Sequence, residues 1–366
     1  MHMAVRFLSK TKGKALAGTA LLRLDFNTED DWRMQAVLPT IKFLLKRSSK
    51  IVIASHRGRP KGFEKKLSLR RDAAILSRLL GRKVLFIDHF RFGEIKRVVA
   101  AAPRGSVFLL ENLRFVKGEE TNDPRFARQL ASLADFYVND AFAVDHRANA
   151  SLVAITRFLP SYAGLELENE IVSLSRVMQK PKHPMILILG GAKAADKLGV
   201  IKYFRAKTDW FLLGGGPANT ILFLKGIDVQ ESVRDRDPKD LKELKAVANY
   251  KNIVLPDDFV WHDGMVLDVG PKAVQIFSKK IGEARTILWS GPLGLIEQKR
   301  YARGSIAVAR AVVRNRRAFS VAGGGETVMF LKKYGLDKKF GFISTGGGAM
   351  MDFLAGKKLP GIEALR

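Results

Sequence analysis

Met185-Ile186-Leu187-Ile188-Leu189-Gly190-Gly191-Ala192-Lys193-Ala194-Ala195-Asp196-Lys197 is the stretch whose reading decides the fold. Five apolar residues without polar alternation suit a strand buried on both faces, as in a parallel sheet. Two glycines turn the chain, and residues 193–205 then carry the period of a helix. Strand, tight turn and helix make one βα unit, and the unit recurs. Apolar runs read as strands at 21–24, 51–54, 84–87, 107–110 and 136–138, and again at 185–189, 211–213, 253–255, 286–289, 319–322 and 342–343. Between them, 33–47, 69–80, 166–179, 240–250 and 306–314 have helical periodicity. Strands roughly 30 residues apart with helices between them mean parallel sheets. The class is α/β.

The length of 366 residues suits about two domains, each with its own core. A hydrophobic fraction of 47% with 13 prolines excludes a disordered or collagen-like chain. No apolar run approaches the ~18 residues of a membrane span. The opening Met1-His2-Met3-Ala4-Val5-Arg6 lacks the apolar core of a signal peptide. The absence of cysteine excludes disulfides, thiolate nucleophiles and Zn–Cys sites. A cytoplasmic protein without a membrane partner is expected. The best seam is the helix at 165–178 followed by Gln179-Lys180-Pro181-Lys182-His183-Pro184, where two prolines stop the helix.

With 63 Lys+Arg against 36 Asp+Glu the net charge is +27. The excess runs through both halves rather than sitting in a tail. Such a field attracts nucleotides, phosphorylated metabolites or nucleic acid. Adaptation of a whole proteome would leave the same imprint, and charge alone does not separate these readings.

In open α/β sheets ligands bind beyond the carboxyl ends of the strands. In the first half those ends read Arg23-Leu24-Asp25-Phe26-Asn27, Ser55-His56-Arg57-Gly58-Arg59-Pro60, Glu111-Asn112-Leu113-Arg114-Phe115 and Asn139-Asp140-Ala141-Phe142-Ala143-Val144-Asp145-His146-Arg147. One arginine near a strand end is usually a solvated charge. Four successive ends so decorated suit a small polyanion, which guanidinium groups bind bidentately. His56 taken alone reads as a structural histidine, but within its motif it reads as a ligand contact. Asp25 is equally well an acceptor for a substrate hydroxyl or a partner for a neighbouring arginine.

The second half ends its strands in glycine: Gly190-Gly191, Gly214-Gly215-Gly216-Pro217, Ser290-Gly291-Pro292, Gly323-Gly324-Gly325-Glu326-Thr327 and Thr345-Gly346-Gly347-Gly348. Glycine lets backbone amides approach phosphates, and a following helix adds its positive dipole end. One such turn is weak evidence, since tight βα turns need glycine anyway; five in one half suggest a nucleotide-phosphate cradle. There is no G-x-x-x-x-G-K-[ST] and no G-x-G-x-x-G. Lys193 and Lys197 are four apart and read as neighbours on one helix face near its N-terminus, a placement that suggests an anion between them and the dipole.

Read together, these motifs, with Arg33 and Ala36-Val37-Leu38-Pro39-Thr40-Ile41, Leu255-Pro256-Asp257-Asp258-Phe259-Val260 and Leu359-Pro360-Gly361, resemble the phosphoglycerate kinase family over essentially the full length. The resemblance implies two Rossmann-like lobes joined by a hinge, each a parallel sheet flanked by helices. Residues 1–162 would bind 3-phosphoglycerate, 163–345 would bind nucleotide, and 346–366 would return to the first lobe. It implies phosphoryl transfer in glycolysis across a closed cleft, with ADP or ATP as co-substrate, Mg2+ as cofactor and a monomeric enzyme. Despite the basic charge, the sequence shows no basic groove studded with aromatics and no nucleic-acid motif, so a nucleic-acid partner is not expected. Substrate contacts carry over to Asp25, Asn27, Arg33, His56, Arg59, Arg114 and Arg147. Nucleotide contacts carry over to Lys193, Lys197, Gly215, Glu297, Gly324, Gly325, Glu326 and Thr327. Arg33, Lys193, Gly324 and Gly347 are the implied catalytic residues, and Glu326 the metal ligand.

Three departures bear on that reading. The family's Asp in the metal turn is Glu326, its Trp-Asn-Gly-Pro carries Ser290, and Asp145 places a carboxylate near a site for anions. They motivate an alternative, a degenerate relative that binds nucleotide or RNA with little or no kinase activity. An acyl-phosphate kinase acting on another acid is a third, weaker reading.

Overall fold

The computed structural model describes residues 5–11 and 13–366. Among the described residues fourteen strands are formed: β1 (Thr19–Arg23), β2 (Lys50–Ala54), β3 (Val84–Ile87), β4 (Val107–Leu110), β5 (Phe136–Asn139), β6 (Ser161–Ala163), β7 (Met185–Leu189), β8 (Trp210–Leu213), β9 (Ile253–Val254), β10 (Phe259–His262), β11 (Met265–Val269), β12 (Thr286–Ser290), β13 (Phe319–Gly323) and β14 (Phe342–Ile343). Two six-stranded sheets result, ordered β3-β4-β2-β1-β5-β6 and β14-β13-β12-β7-β8-β9, together with the hairpin β10-β11. Every pairing in the two large sheets is parallel, as the unalternating runs require. All five residues of β7 are fully buried.

The chain forms two compact units. One comprises the chain up to Ile171 together with Lys358–Arg366, the other Val172–Lys357. The division falls inside the helix Leu165–Gln179. In the first unit Leu22, Ile41, Ile53, Leu76 and Leu109 belong to a core beside β1 and β2. In the second, Trp289 is wholly buried with the rings of Phe330 and Phe340 6.3 and 6.4 Å away.

Strand order positions the sites. In the second sheet β7 leads to β8 on one side and β12 lies on the other, so the order reverses between β7 and β12. In the first it reverses between β1 and β5. Each reversal opens a crevice at the carboxyl ends of the strands.

Several boundaries move from the sequence reading. The helix expected over 193–205 begins at Ala195, because the carboxylate of Asp235 accepts hydrogen bonds from the amides of Ala194 (2.7 Å) and Ala195 (3.4 Å) and caps it there. Lys197 lies in the first turn, but Lys193 precedes the helix, so the two do not share a helix face. Helices at Phe92–Ala101, Pro124–Ala131 and Pro271–Glu283 add to those that periodicity found. Among the described residues no helix is long and apolar enough to cross a membrane.

Candidate active site

In the first unit, β1 ends in Arg23, paired in register with Asn139 of β5 across the switch point. Two residues on, the carboxylate of Asp25 accepts from the Asn27 amide (2.7 Å) and from Nη1 of Arg33 (2.9 Å). Burial alone would raise the Asp25 carboxyl; His56, Arg33 and the Asn27 amide outweigh it and hold it below the ordinary value. His56 is wholly buried, and burial, with Arg23, Arg114 and Arg33 around it, pushes its imidazole well below the ordinary value, so it is neutral at pH 7. Arg23 Nη2 lies 3.3 Å from His56 Nδ1. A guanidinium can only donate, so Nδ1 accepts and Nε2 carries the proton. Nε2 has no hydrogen-bond partner and lies 3.9 Å from Asp25 Oδ1, a donor held ready among cations.

Arg114 is nearly buried, with Nη1 donating to the Gly58 carbonyl at 2.5 Å. Burial first, then Arg147 and Arg23, push it down to about 10, which records how close these guanidiniums stand. Arg147 Nε contacts His146 Nε2 at 3.3 Å. Arg59 is exposed and makes no hydrogen bond or ion pair among the described residues. Asn27 accepts the Gly58 amide at 2.8 Å, tying the loop after β1 to the loop after β2. The structure thus gathers Asp25, Asn27, Arg33 and His56 directly, with Arg114 and Arg147 beside them.

Not every strand-end arginine is available for a ligand. Arg57 donates to Asp72 at 2.5 and 3.2 Å and to the carbonyls of Thr28 and Phe26. Arg23 is 1% exposed and bonded to Ser151, Leu24 and His56. Both hold loops in place.

Asp145 corrects an expectation. It is fully buried, accepts from Asn139 Nδ2 at 2.7 Å, and its main-chain carbonyl accepts the Gly361 amide at 2.9 Å. A Cβ on Gly361 would meet its Oδ1 at 2.2 Å. It therefore packs against the turn Leu359-Pro360-Gly361. Burial, with help from Asp140 and Glu170, pushes its carboxyl up to about 8, so at pH 7 it is neutral and no repulsive charge. Because the folded group titrates above the unfolded one, folding retains a proton from about pH 4 to about pH 8, and stability falls across that window as pH rises. Asp145→Asn should remove this loss. Urea unfolding of variant and parent should show an advantage for the variant that grows from pH 5 to pH 8, by at most about 1.4 kcal/mol per pH unit.

In the second unit the glycine turns divide into two kinds. A Cβ on Gly190 would meet Pro292 O at 2.0 Å, one on Gly216 would meet Ala192 O at 1.9 Å, and one on Gly291 would meet Gly190 O at 2.2 Å. These glycines let the turns after β7, β8 and β12 nest on one another, and their amides are spent doing so: Gly191 on Pro292 O, Gly215 on Leu293 O and Gly216 on Gly191 O. Gly324, Gly325 and Gly347 are different. A Cβ at Gly325 meets nothing within 4 Å, and at Gly324 and Gly347 nothing closer than 3.7 Å. Gly324 adopts φ +93°, which turns the chain into the helix Gly325–Lys333. The first-turn amides of that helix have no carbonyl of its own to bond.

Gly216→Ala should therefore cost about 1–3 kcal/mol in urea unfolding, since the obstructing atom is backbone and cannot swing away. Gly325→Ala should leave stability unchanged within about 0.5 kcal/mol and raise the nucleotide KM, because its methyl would stand in the space that Gly325 lines.

Around these turns lie contiguous cavities of about 170, 310 and 570 Å³. The first is mainly apolar, walled by Val233, Val266, Leu267, Leu293 and Ile296, with Gly215 and the exposed Glu297 on its lining. The second is lined by Lys193, Asp196, Lys197, Ser290 and the turn 324–327. Gly191, Ala192 and Glu326 border both. The third continues past Lys197 and Ser290 to Gly347. Lys197 Nζ lies 3.3 Å from Ser290 Oγ. Burial pushes its ammonium down, opposed by Asp196 and Glu326. Lys193 is exposed, with no partner among the described residues. Thr327 is buried, and its Oγ1 accepts the Gly291 amide at 2.8 Å, so its hydroxyl orders the turn. The trough can take a base and ribose in its apolar arm and phosphates along the lysines and free amides.

Residues the motifs did not reveal complete the trough. Val266 and Leu267 come from the hairpin β10-β11, whose turn Asp263-Gly264 has φ +46° and +70°. An Asp-Gly pair between two apolar runs was the signal that could have found it. Asp268, 1% exposed, accepts the Gly304 amide at 2.7 Å and sits where a Cβ on Gly294 would be, fixing the loop that carries Leu295. Asn219 donates to Val233 O at 3.0 Å and leaves its Oδ1 without a donor on the apolar arm. Asp235 carries no sequence signal of its capping role.

Buried and half-buried cations gathered around Asp25 in one unit, and a trough lined by lysines and open glycine turns in the other, are the equipment of a nucleotide-dependent phosphotransferase. The comparisons narrow the class. The family model for phosphoglycerate kinase matches residues 16–357. The chain is 41% identical to the phosphoglycerate kinase of Dictyoglomus turgidum, with 97% of this chain and 96% of that one covered. It is also 41% identical to the cytosolic phosphoglycerate kinase of Triticum aestivum, over 92% and 90%. Among solved structures, the phosphoglycerate kinase of Pyrococcus horikoshii superposes with a TM-score of 0.86 at 31% identity, covering 98% of each chain, and that of Coxiella burnetii with 0.83 at 31%, covering 99% of each. The chain belongs to the phosphoglycerate kinase family.

Proposed function

We propose that this chain catalyses reversible phosphoryl transfer between 1,3-bisphosphoglycerate and ADP, giving 3-phosphoglycerate and ATP, as a monomeric, cytoplasmic enzyme of glycolysis. The observation that carries the reading is the trough of the second unit, where Lys193 and Lys197 face the open glycine turn 324–325. Donor and acceptor oxygens are already anionic, a carboxylate and a diphosphate, so the reaction needs no general base; it needs position and charge.

In the first unit, Arg33, Arg114, Arg147 and Arg59 would hold the phosphate and carboxylate of 3-phosphoglycerate, with Asp25 and the Nε2–H of His56 for its remaining polar groups. Asp25 arrives ionised and bonded to Arg33, so it also aims that guanidinium. In the second unit, Glu297 would accept from the ribose, and the amides of residues 324–326 would meet the phosphates. Lys193, tethered to no other side chain, is free to follow the phosphoryl group between donor and acceptor. Lys197 would neutralise the leaving diphosphate while Ser290 orients its ammonium.

Among the described residues no group of three or more carboxylates or histidines forms a metal cage. A nucleotide-borne Mg2+ does not need one, because it keeps its phosphate oxygens and waters and takes one or two carboxylates. Glu326 and Asp196, both exposed on the phosphate cavity, are the carboxylates that would hold it. When bound, the ion draws charge from the phosphate oxygens. The Glu326 side chain spans the trough, since a Cβ placed on Gly191 would lie 3.9 Å from its Oε2. Glu326→Asp would fall short of that position. It should raise the Mg2+ concentration for half-maximal rate, and for tight Mg–ADP binding by calorimetry, at least about threefold. A gain in activity would mean that the longer carboxylate is a poor ligand.

The direct test is ATP-dependent phosphorylation of 3-phosphoglycerate coupled to NADH oxidation, with Mg2+ present and then chelated. Turnover that disappears on chelation supports the proposal. Activity with acetate but not 3-phosphoglycerate would overturn it, as would absence of turnover with nucleotide bound.

A further inference from the structure

The carboxyl edge of the second sheet holds the trough; its amino edge carries a different chemistry. Each of its six strands is entered through Lys or Arg within three residues of its start. Arg285 leads into β12, Arg317 into β13 and Lys339 into β14. On the other side Lys182 leads into β7, Lys207 into β8 and Lys251 into β9. Since these strands are consecutive in the sheet and neighbours lie about 4.8 Å apart, the row is roughly 24 Å long.

A bland explanation exists. Helices of an α/β layer end at this edge, and a cation near a helix C-terminus complements its dipole. In the first unit that explanation suffices, because the corresponding cations are spent on carbonyls: Lys50 on Ala100 O (2.7 Å), Arg82 on Gly105 O (2.8 Å) and Arg104 on Arg47 O (3.3 Å). In the second unit, Arg285, Arg314, Arg316, Arg317, Lys182 and Lys251 make no side-chain hydrogen bond or ion pair among the described residues.

Two further observations point outward to a ligand. Arg314, Arg316 and Arg317 line a surface pocket of about 420 Å³ between the helices Pro271–Glu283 and Arg303–Arg314. Asn315 braces it by donating to the carbonyls of Ile281 (2.6 Å) and Ala284 (2.9 Å). Half-exposed rings also stand along the same edge under cations. Lys280 lies 3.4 Å from the centroid of Trp210 at the start of β8, Arg176 4.1 Å from that of Phe319 at the start of β13, and Arg205 4.4 Å from that of Tyr250 before β9. Opposing charge is sparse. Asp209 is engaged by the Met185 amide and His183, Asp337 faces Lys332, and Glu283 is exposed.

We propose that this edge is a binding surface for single-stranded nucleic acid, its phosphodiester backbone along the row of cations and its bases over the Arg176–Phe319 and Arg205–Tyr250 pairs, where a guanidinium already covers the ring. Alternating cation and ring is the chemistry of sequence-tolerant strand binding, whereas an acidic peptide has no faces to stack. The sequence expectation of no nucleic-acid partner rested on the absence of a basic groove studded with aromatics. The sheet assembles that pattern from residues scattered between 176 and 339.

The test is fluorescence anisotropy of a labelled 16-nucleotide single strand, as RNA and as DNA, against the full chain with saturating Mg–ATP. Binding to either strand is expected, weakening steeply with salt. The triple variant Arg314→Glu, Arg316→Glu, Arg317→Glu should bind at least tenfold more weakly. Its log–log salt slope should be shallower by about 2, since each lost single-strand phosphate contact removes about 0.7. Its melting temperature and kinase rate should match the parent, and the triple Arg→Lys variant should retain binding. Any of three results would overturn the proposal: unchanged binding by the triple Glu variant, abolition of binding by Mg–ATP, or equally tight binding of polyglutamate or phosphatidylserine vesicles.

Discussion

Lys193→Ala should lower the turnover number for 3-phosphoglycerate phosphorylation by a factor on the order of 10²–10³ while leaving the melting temperature unchanged. The two halves of that expectation have separate causes. Lys193 stands on the phosphate cavity just before the helix that Asp235 caps, exposed and bonded to nothing among the described residues. Losing it removes no contact from the fold. On the proposed function, what goes is a positive charge on the cavity where the phosphoryl group would be transferred. Nucleotide binding, with Lys197 and the amides of the glycine turn intact, should weaken far less than kcat falls. A variant that loses binding and turnover equally would place Lys193 with the ground-state contacts instead. Steady-state kinetics with calorimetric Mg–ADP affinity distinguishes the two.

Arg23→Met should lower stability by about 3–5 kcal/mol in urea unfolding. Arg23 is a buried cation with Nε on Ser151 Oγ at 2.7 Å and Nη2 3.7 Å from Glu119 Oε1. Glu119 is itself 0% exposed, and accepts from the Ser151 amide (3.0 Å) and hydroxyl (2.6 Å). Methionine replaces the aliphatic stem of the side chain but not its guanidinium, and leaves Glu119 as an uncompensated buried carboxylate. It also frees His56 Nδ1, which Arg23 fixes as an acceptor. The double variant Arg23→Met, Glu119→Gln should recover much of the loss, because the stranded charge and not the missing bulk is the main cost. If the double variant is no better than the single one, packing dominates and the ion pair is incidental.

The parallel sheets were legible because runs such as Met185–Leu189 do not alternate, a pattern only a two-sided burial explains. The nucleotide trough was half legible. Glycine at five strand ends pointed to a place where cavities do lie, yet spacing cannot tell a glycine that nests turns, such as Gly216 against Ala192, from one that faces the open cavity, such as Gly325. Both kinds look alike until the turns are folded together. The arginines of the first half pose the same difficulty. Arg57 stands on the loop after β2 and Arg33 in the first turn of the helix Trp32–Leu45, but Asp72 claims the first and Asp25 merely aims the second. Which carboxylate meets which guanidinium depends on long-range packing that no local motif records. Asp145 read as a carboxylate beside an anion site, there to repel substrate or to orient Arg147, because the residue that covers it, Gly361, is more than two hundred positions away.

That last contact has a consequence for the order of events on the ribosome. Lys358–Arg366 belong to the same compact unit as the opening half of the chain, and the Gly361 amide is the partner of the Asp145 carbonyl. A chain emerging N-terminus first can build the whole of Val172–Lys357 before that partner exists. The half synthesised first is then the half completed last, and until Gly361 emerges it waits with the Asp145 carbonyl bare.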